Sequence, residues 1–130
     1  MKFTEAFRGL GYEVAAPRTD WSAGNETGIC LSLWAKEIKY SKDGCSFDTR
    51  WDAQPIETWN HKPGFKRRLD HMKRAMDEFE GSIDVVIVSG TPGESYGDAF
   101  PWKPEERKQA SWRILELDRN SGHFSAEAKV

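Results

Sequence analysis

At 130 residues the chain is the size of one ordinary domain, and it is read as a single domain over residues 1–130. Nineteen Lys and Arg against 21 Asp and Glu leave a net charge of -2, which excludes a whole-molecule field drawing the protein onto nucleic acid or anionic lipid. Any basic patch must therefore be local. With 38% hydrophobic and 12% aromatic residues the chain has the means to build a core, which excludes a disordered segment.

Met1 to Leu10 alternates charged and apolar residues and lacks the apolar run of a signal peptide. The longest apolar run, Val85-Val86-Ile87-Val88, is far short of the roughly 20 residues a membrane helix needs, so a soluble, cytoplasmic protein without membrane contact is expected. Cys30 lies inside an apolar strand pattern, and Cys30 and Cys45 are read as buried or idle thiols. His61, His71 and His123 have no partner at metal-ligand spacing, so neither a metal nor a cofactor is expected.

Phe3, Phe7 and Leu10 recur at helical spacing and predict a short N-terminal helix. Tyr12 to Ala16 reads as a strand ending at Pro17, and Asp20 to Ala23 as a second extended stretch that breaks at Gly24-Asn25. Gly28 to Ala35 is the clearest strand, with Ile29, Leu31 and Leu33 on one face and Cys30, Ser32 and Trp34 on the other. A hairpin tip over Ser41 to Gly44 and a returning strand over Ser46 to Trp51 follow, then a loop over Asp52 to Gly64. Phe65, Leu69, Met72, Met76 and Phe79 form an apolar stripe that predicts the main helix over about 64–80, capped by Gly81. Ile83 to Ser89 is a β-branched run suited to a central strand covered on both faces. Gly90 to Pro104 reads as a long aromatic loop and Pro104 to Gln109 as one helical turn. Ser111 to Leu117 and His123 to Ala128 form a closing hairpin around Asp118 to Gly122. The fold class is α+β: a small, strongly curved sheet, or a small β-barrel, with one main helix.

Six tryptophans are many for this length, and Trp51, Trp59 and Trp102 fall where loops or rims are predicted. An indole suits stacking on a base, although large rings also plug the ends of small barrels. Lys62, Lys66, Arg67, Arg68, His71, Lys73 and Arg74 make a basic cluster in the first half of the main helix, suited to phosphates. Asp70, Asp77 and Glu78 lie four residues after Lys66, Lys73 and Arg74, the pattern of an ion-paired surface, which leaves Arg67 and Arg68 as the freest cations. Gly90-Thr91-Pro92-Gly93-Glu94 lacks the lysine and spacing of a phosphate-binding loop and is read as a turn. His61 and His71 have no identifiable nucleophile or orienting acid and are read as surface or rim residues.

Glu37-Ile38-Lys39, with Asp20 upstream, resembles the PD-(D/E)xK nuclease pattern. That resemblance implies a divalent metal on Asp20 and Glu37, with Lys39 polarising the attacking water. Thr19 to Ala23, Cys30 to Trp34, and the helix and strand from Asn60 to Gly90 together resemble the PUA-like group of small barrels, which includes the EVE, YTH, ASCH and SRA-type readers. The resemblance implies a module that binds a modified or flipped base of DNA or RNA in an aromatic-lined pocket, in a restriction or RNA-modification setting. It places Trp21, Trp34 and Trp59 in the pocket wall and Ser22 or Asn25 on base edges. Lys62, Lys66, Arg67 and Arg68 would then hold adjoining phosphates. A binding module is thus expected rather than an enzyme. The nuclease is one alternative, and a protein-interaction domain anchored by loop aromatics is the other.

Overall fold

The computed structural model describes residues 1–51, 55–58, 60–91 and 95–129. In chain order the regular elements are α1 (Phe3–Gly9), β1 (Ser22–Gly24), β2 (Ile29–Trp34), β3 (Lys39–Ser41), β4 (Gly44–Asp48), α2 (Pro63–Glu78), β5 (Ser82–Thr91), β6 (Ser95–Pro101), β7 (Ser111–Leu117) and β8 (Phe124–Lys129). Single 3-10 turns occupy Ala35–Glu37, Thr49–Trp51, Ile56–Thr58 and Pro104–Glu106. No helix among the described residues is long and apolar enough to cross a membrane.

The fold is α+β, built on a mixed sheet whose hydrogen-bonded order is β1-β2-β5-β7-β8-β4-β3, with β6 added to β5. Only β2 and β5 run parallel, from Cys30 opposite Asp84 to Trp34 opposite Val88. Strand β5 changes partners along one edge: Ser82 and Ile83 pair with β7, whereas Val86 to Thr91 pair with β6. Among the described residues the strand path ends in β1 and β3 and does not close on itself.

Period-two alternation sorts β2 and β5 into two cores. Ile29, Leu31, Leu33, Ile83, Val85 and Ile87 face α2 and the strands β4, β7 and β8, packing with Met72, Ala75, Trp112 and Phe124. Cys30, Val86 and Val88 face the opposite way, onto Ala6 and Phe7 of α1 and onto Tyr12. The sheet interior is therefore covered on both faces, as the β-branched run of β5 predicted. Both cysteines are free and buried, and burial raises the thiol pKa of each.

Helix α2 matches the predicted stripe. Pro63 opens it, and Gly81 follows its end with φ +82 and sends its N–H back to the Ala75 carbonyl. Two expectations are corrected. Tyr12 to Ala16 is not a strand, because its backbone groups are taken locally: Tyr12 N–H bonds to Phe7 O, and Ala16 N–H bonds to Asp20 Oδ2. Gly90 to Pro104 is not mainly loop, since β6 covers Ser95–Pro101. A register shift at Ser89 is closed by its own hydroxyl, which accepts from Asp98 N–H (2.8 Å) and donates to Asp98 O (3.1 Å). The Gly90–Glu94 turn lies partly outside the described residues, at 92–94.

Candidate nucleic-acid interface

The first half of α2 and the segment entering β1 meet in one polar and aromatic cluster. Asp20 is buried. Its Oδ2 closes the turn at Ala16, and its Oδ1 lies 3.1 Å from Arg67 Nε, a charge pairing rather than an aligned hydrogen bond. Ser22 on β1 is fully buried, and its Oγ shares a 2.6 Å hydrogen bond with His71 Nδ1. Desolvation lowers the His71 pKa below its usual 6.5, outweighing the opposing pull of the Asp20 carboxylate, while Arg67 and Arg74 add to the lowering.

Trp21, half-buried, lies between these groups and α2. A side chain at Gly64 would come within 2.9 Å of the indole Cε2 and Nε1, so the missing Cβ is what lets the ring lie against the first turn of the helix. One turn further on, Arg68 is buried, with Cζ 5.0 Å from the Trp21 ring, 5.1 Å from Phe124 and 5.9 Å from Phe65. Gly122 completes the enclosure, because a Cβ there would collide with the Phe65 ring.

The basic residues do not form one patch. At about 100° per residue, Gly64, Arg68 and His71 share the side of α2 that meets Trp21 and Ser22, and Arg67 flanks it by about 60°. Lys62 and Lys66 project from about the opposite side, both exposed, and neither has an acidic partner among the described residues. Arg67 and Arg68 are not the free cations that the spacing implied. Arg67 is matched to a buried carboxylate, and Arg68 is enclosed by rings; Asp20, Trp21 and Phe124 are 47 to 56 residues away, so spacing along the helix gave no sign of them. Of the expected i,i+4 pairs, Arg74 does bind Glu78, but Asp77 is taken by Arg119 at 2.7 Å, which lowers its pKa.

The tryptophans are also dispersed. Trp34 packs on the α1 side of the sheet and so is not on the face where Trp21 meets α2. Trp59 lies outside the described residues. Trp102, expected at a rim, is buried: its Nε1–H donates to Ala110 O (2.8 Å), and its ring meets Trp112 edge-on with centroids 5.6 Å apart. Beside these two rings and β5 is a cavity of about 70 Å³, room for a few waters and too small for a nucleobase. Trp51 is exposed in the Thr49–Trp51 turn, with Lys39 Nζ 4.0 Å over its ring.

Asn25 does not present an edge to a ligand. Its Oδ1 accepts from Thr27 N–H, Thr27 Oγ1 and Gly28 N–H and holds the β1–β2 turn, while its Nδ2 donates to Gly11 O after α1. Ser22 is likewise spent on His71. Of the residues in the nuclease resemblance, Asp20 is buried just ahead of β1 and held by the Ala16 N–H and Arg67, Glu37 is in the Ala35–Glu37 turn after β2, and Lys39 is on β3. Among the described residues no group of three His, Cys, Asp or Glu is placed to hold a metal ion.

Two buried polar contacts escaped the sequence reading. His71 on Ser22 had one signal, the 64-68-71-75 spacing that puts it on the inward stripe of α2. Tyr12, whose hydroxyl donates to Asp84 Oδ2 (2.6 Å) across 72 residues, had none. Burial and the Asp84 carboxylate hold the Tyr12 hydroxyl firmly protonated. Comparison of the chain with protein-family models, with curated proteins and with solved structures finds no match.

Proposed function

We propose that this protein is a nucleic-acid-binding module, akin in kind to the PUA-like readers, that receives an unstacked base, modified or extruded, at the α2–β1 face. The observation that carries the reading is Trp21, a half-buried indole seated on the first turn of a helix that also bears Arg67, Lys62 and Lys66. Indoles stack on bases of any sequence, and taking a base out of its stack costs a few kcal/mol, which such a platform recovers. Lys62 and Lys66, around the helix from Trp21 and without an acidic partner among the described residues, supply cations to the phosphates flanking the stacked base, which release counterions there. The small net charge is compatible with this because Lys62, Lys66 and Arg67 lie around the start of one helix, a local concentration of positive charge.

The test is fluorescence anisotropy with labelled single-stranded DNA and RNA over a range of salt concentrations. The affinity is expected to fall linearly in log–log form with salt. The Lys62→Ala/Lys66→Ala double variant is expected to flatten the slope by about 0.7 per lysine. Absence of binding to both polymers at low salt would overturn the proposal.

A further inference from the structure

Arg68 was the natural phosphate ligand by composition, yet its setting contradicts that use. The residue is 7% exposed, and its guanidinium lies within 6 Å of three rings drawn from separate parts of the chain: Trp21 ahead of β1, Phe65 on α2 and Phe124 on β8. Turning this buried cation outward to a phosphate would strip all three rings of their contact with it. Gly64, one turn earlier on the same side, lets the Trp21 indole approach the helix backbone closely, its Cε2 and Nε1 where a Cβ would come within 2.9 Å. Backbone and guanidinium thus clamp one indole from two points four residues apart.

We infer that Arg68 is a positioning residue: its ring-enclosed guanidinium fixes the Trp21 indole at the α2–β1 face, so that base stacking depends on Arg68 while phosphate affinity does not. The inference rests on the function proposed above and sharpens its ligand to a strand with accessible, unstacked bases.

The experiment uses the full chain labelled with 5-fluorotryptophan, the Trp21 ¹⁹F resonance being assigned from Trp21→Phe. Oligothymidylate and an abasic oligomer of equal length are the probes. Wild-type protein is expected to prefer the base-bearing strand by about tenfold or more, the scale of one aromatic stack. Arg68→Met is expected to shift or broaden the Trp21 resonance and to erase that preference, with the salt slope unchanged. Arg68→Lys keeps the charge but not the planar fork. It is read in parallel and carries the same expectations should the Met variant not fold. Equal weakening of both oligomers with a slope lower by about 0.7 would make Arg68 a phosphate ligand and overturn the inference. An unmoved Trp21 resonance would overturn it as well. Failure of wild-type protein to bind either oligomer would instead overturn the proposed function, while the Trp21 resonance would still decide the positioning role.

Discussion

Two tryptophan–cation pairs in this molecule behave as different objects. Trp21 and Arg68 lie in the cluster between α2, β1 and β8, with the guanidinium 7% exposed and touching two further rings. Trp51 and Lys39 lie at the β3 edge, with the indole 42% exposed and an exposed lysine over it. The chemistry is nominally the same. What differs is solvent: a buried cation has no water to fall back on and must stay where its contacts are, whereas an exposed one exchanges its ring for water at almost no cost. Burial therefore converts a weak attraction into a fixed position, and only the first pair is suited to orient a ring.

Arg68→Ala gives the largest effect on this contrast, because it empties a buried site at the junction of three segments. A loss of about 3 kcal/mol is expected from urea unfolding. Gly64→Ala acts on the same indole from one turn earlier on α2. Its new methyl would press on the Thr19 carbonyl and the Trp21 ring, and about 2 kcal/mol of destabilisation with a changed Trp21 signal is expected. A neutral Gly64→Ala would mean that the indole is not clamped at all. Arg67→Ala leaves the buried Asp20 carboxylate without its cation, for a cost of about 1–2 kcal/mol; an Asp20→Asn/Arg67→Ala double variant should recover part of it.

His71 adds a pH dependence to the buried cluster. Its folded pKa is depressed, so the unfolded chain binds the proton first: this contribution is present above about pH 6.5 and is lost as pH falls below it. Melting temperature should therefore drop on acidification through that window, and His71→Asn should flatten the drop; an identical slope in the variant would remove His71 as its source. The smallest effect belongs to the exposed pair, where Lys39→Ala is expected to cost about 0.5 kcal/mol or less. A cost comparable to that of Arg68→Ala would abolish the distinction drawn between the two regions.

The regular elements were largely legible because their signals are local. The stripe from Phe65 to Phe79, the alternation from Ile29 to Trp34, the β-branched run of β5 and the Asp118–Gly122 turn each encode their structure within a few residues. Periodicity misled where side chains and turns claim the backbone: Tyr12 to Ala16 bonds to Phe7 and Asp20 instead of a neighbouring strand, and at β6 the Ser89 hydroxyl bridges a register shift to Asp98.

Composition and periodicity thus determined an α+β chain with one amphipathic helix carrying a dense run of cations. Tertiary structure alone decided which cations remain available. Asp20 reaching Arg67, and Trp21 and Phe124 reaching Arg68, are contacts between residues 47 to 56 apart in the chain, and burial, which makes them binding constraints, has no counterpart in spacing along the chain.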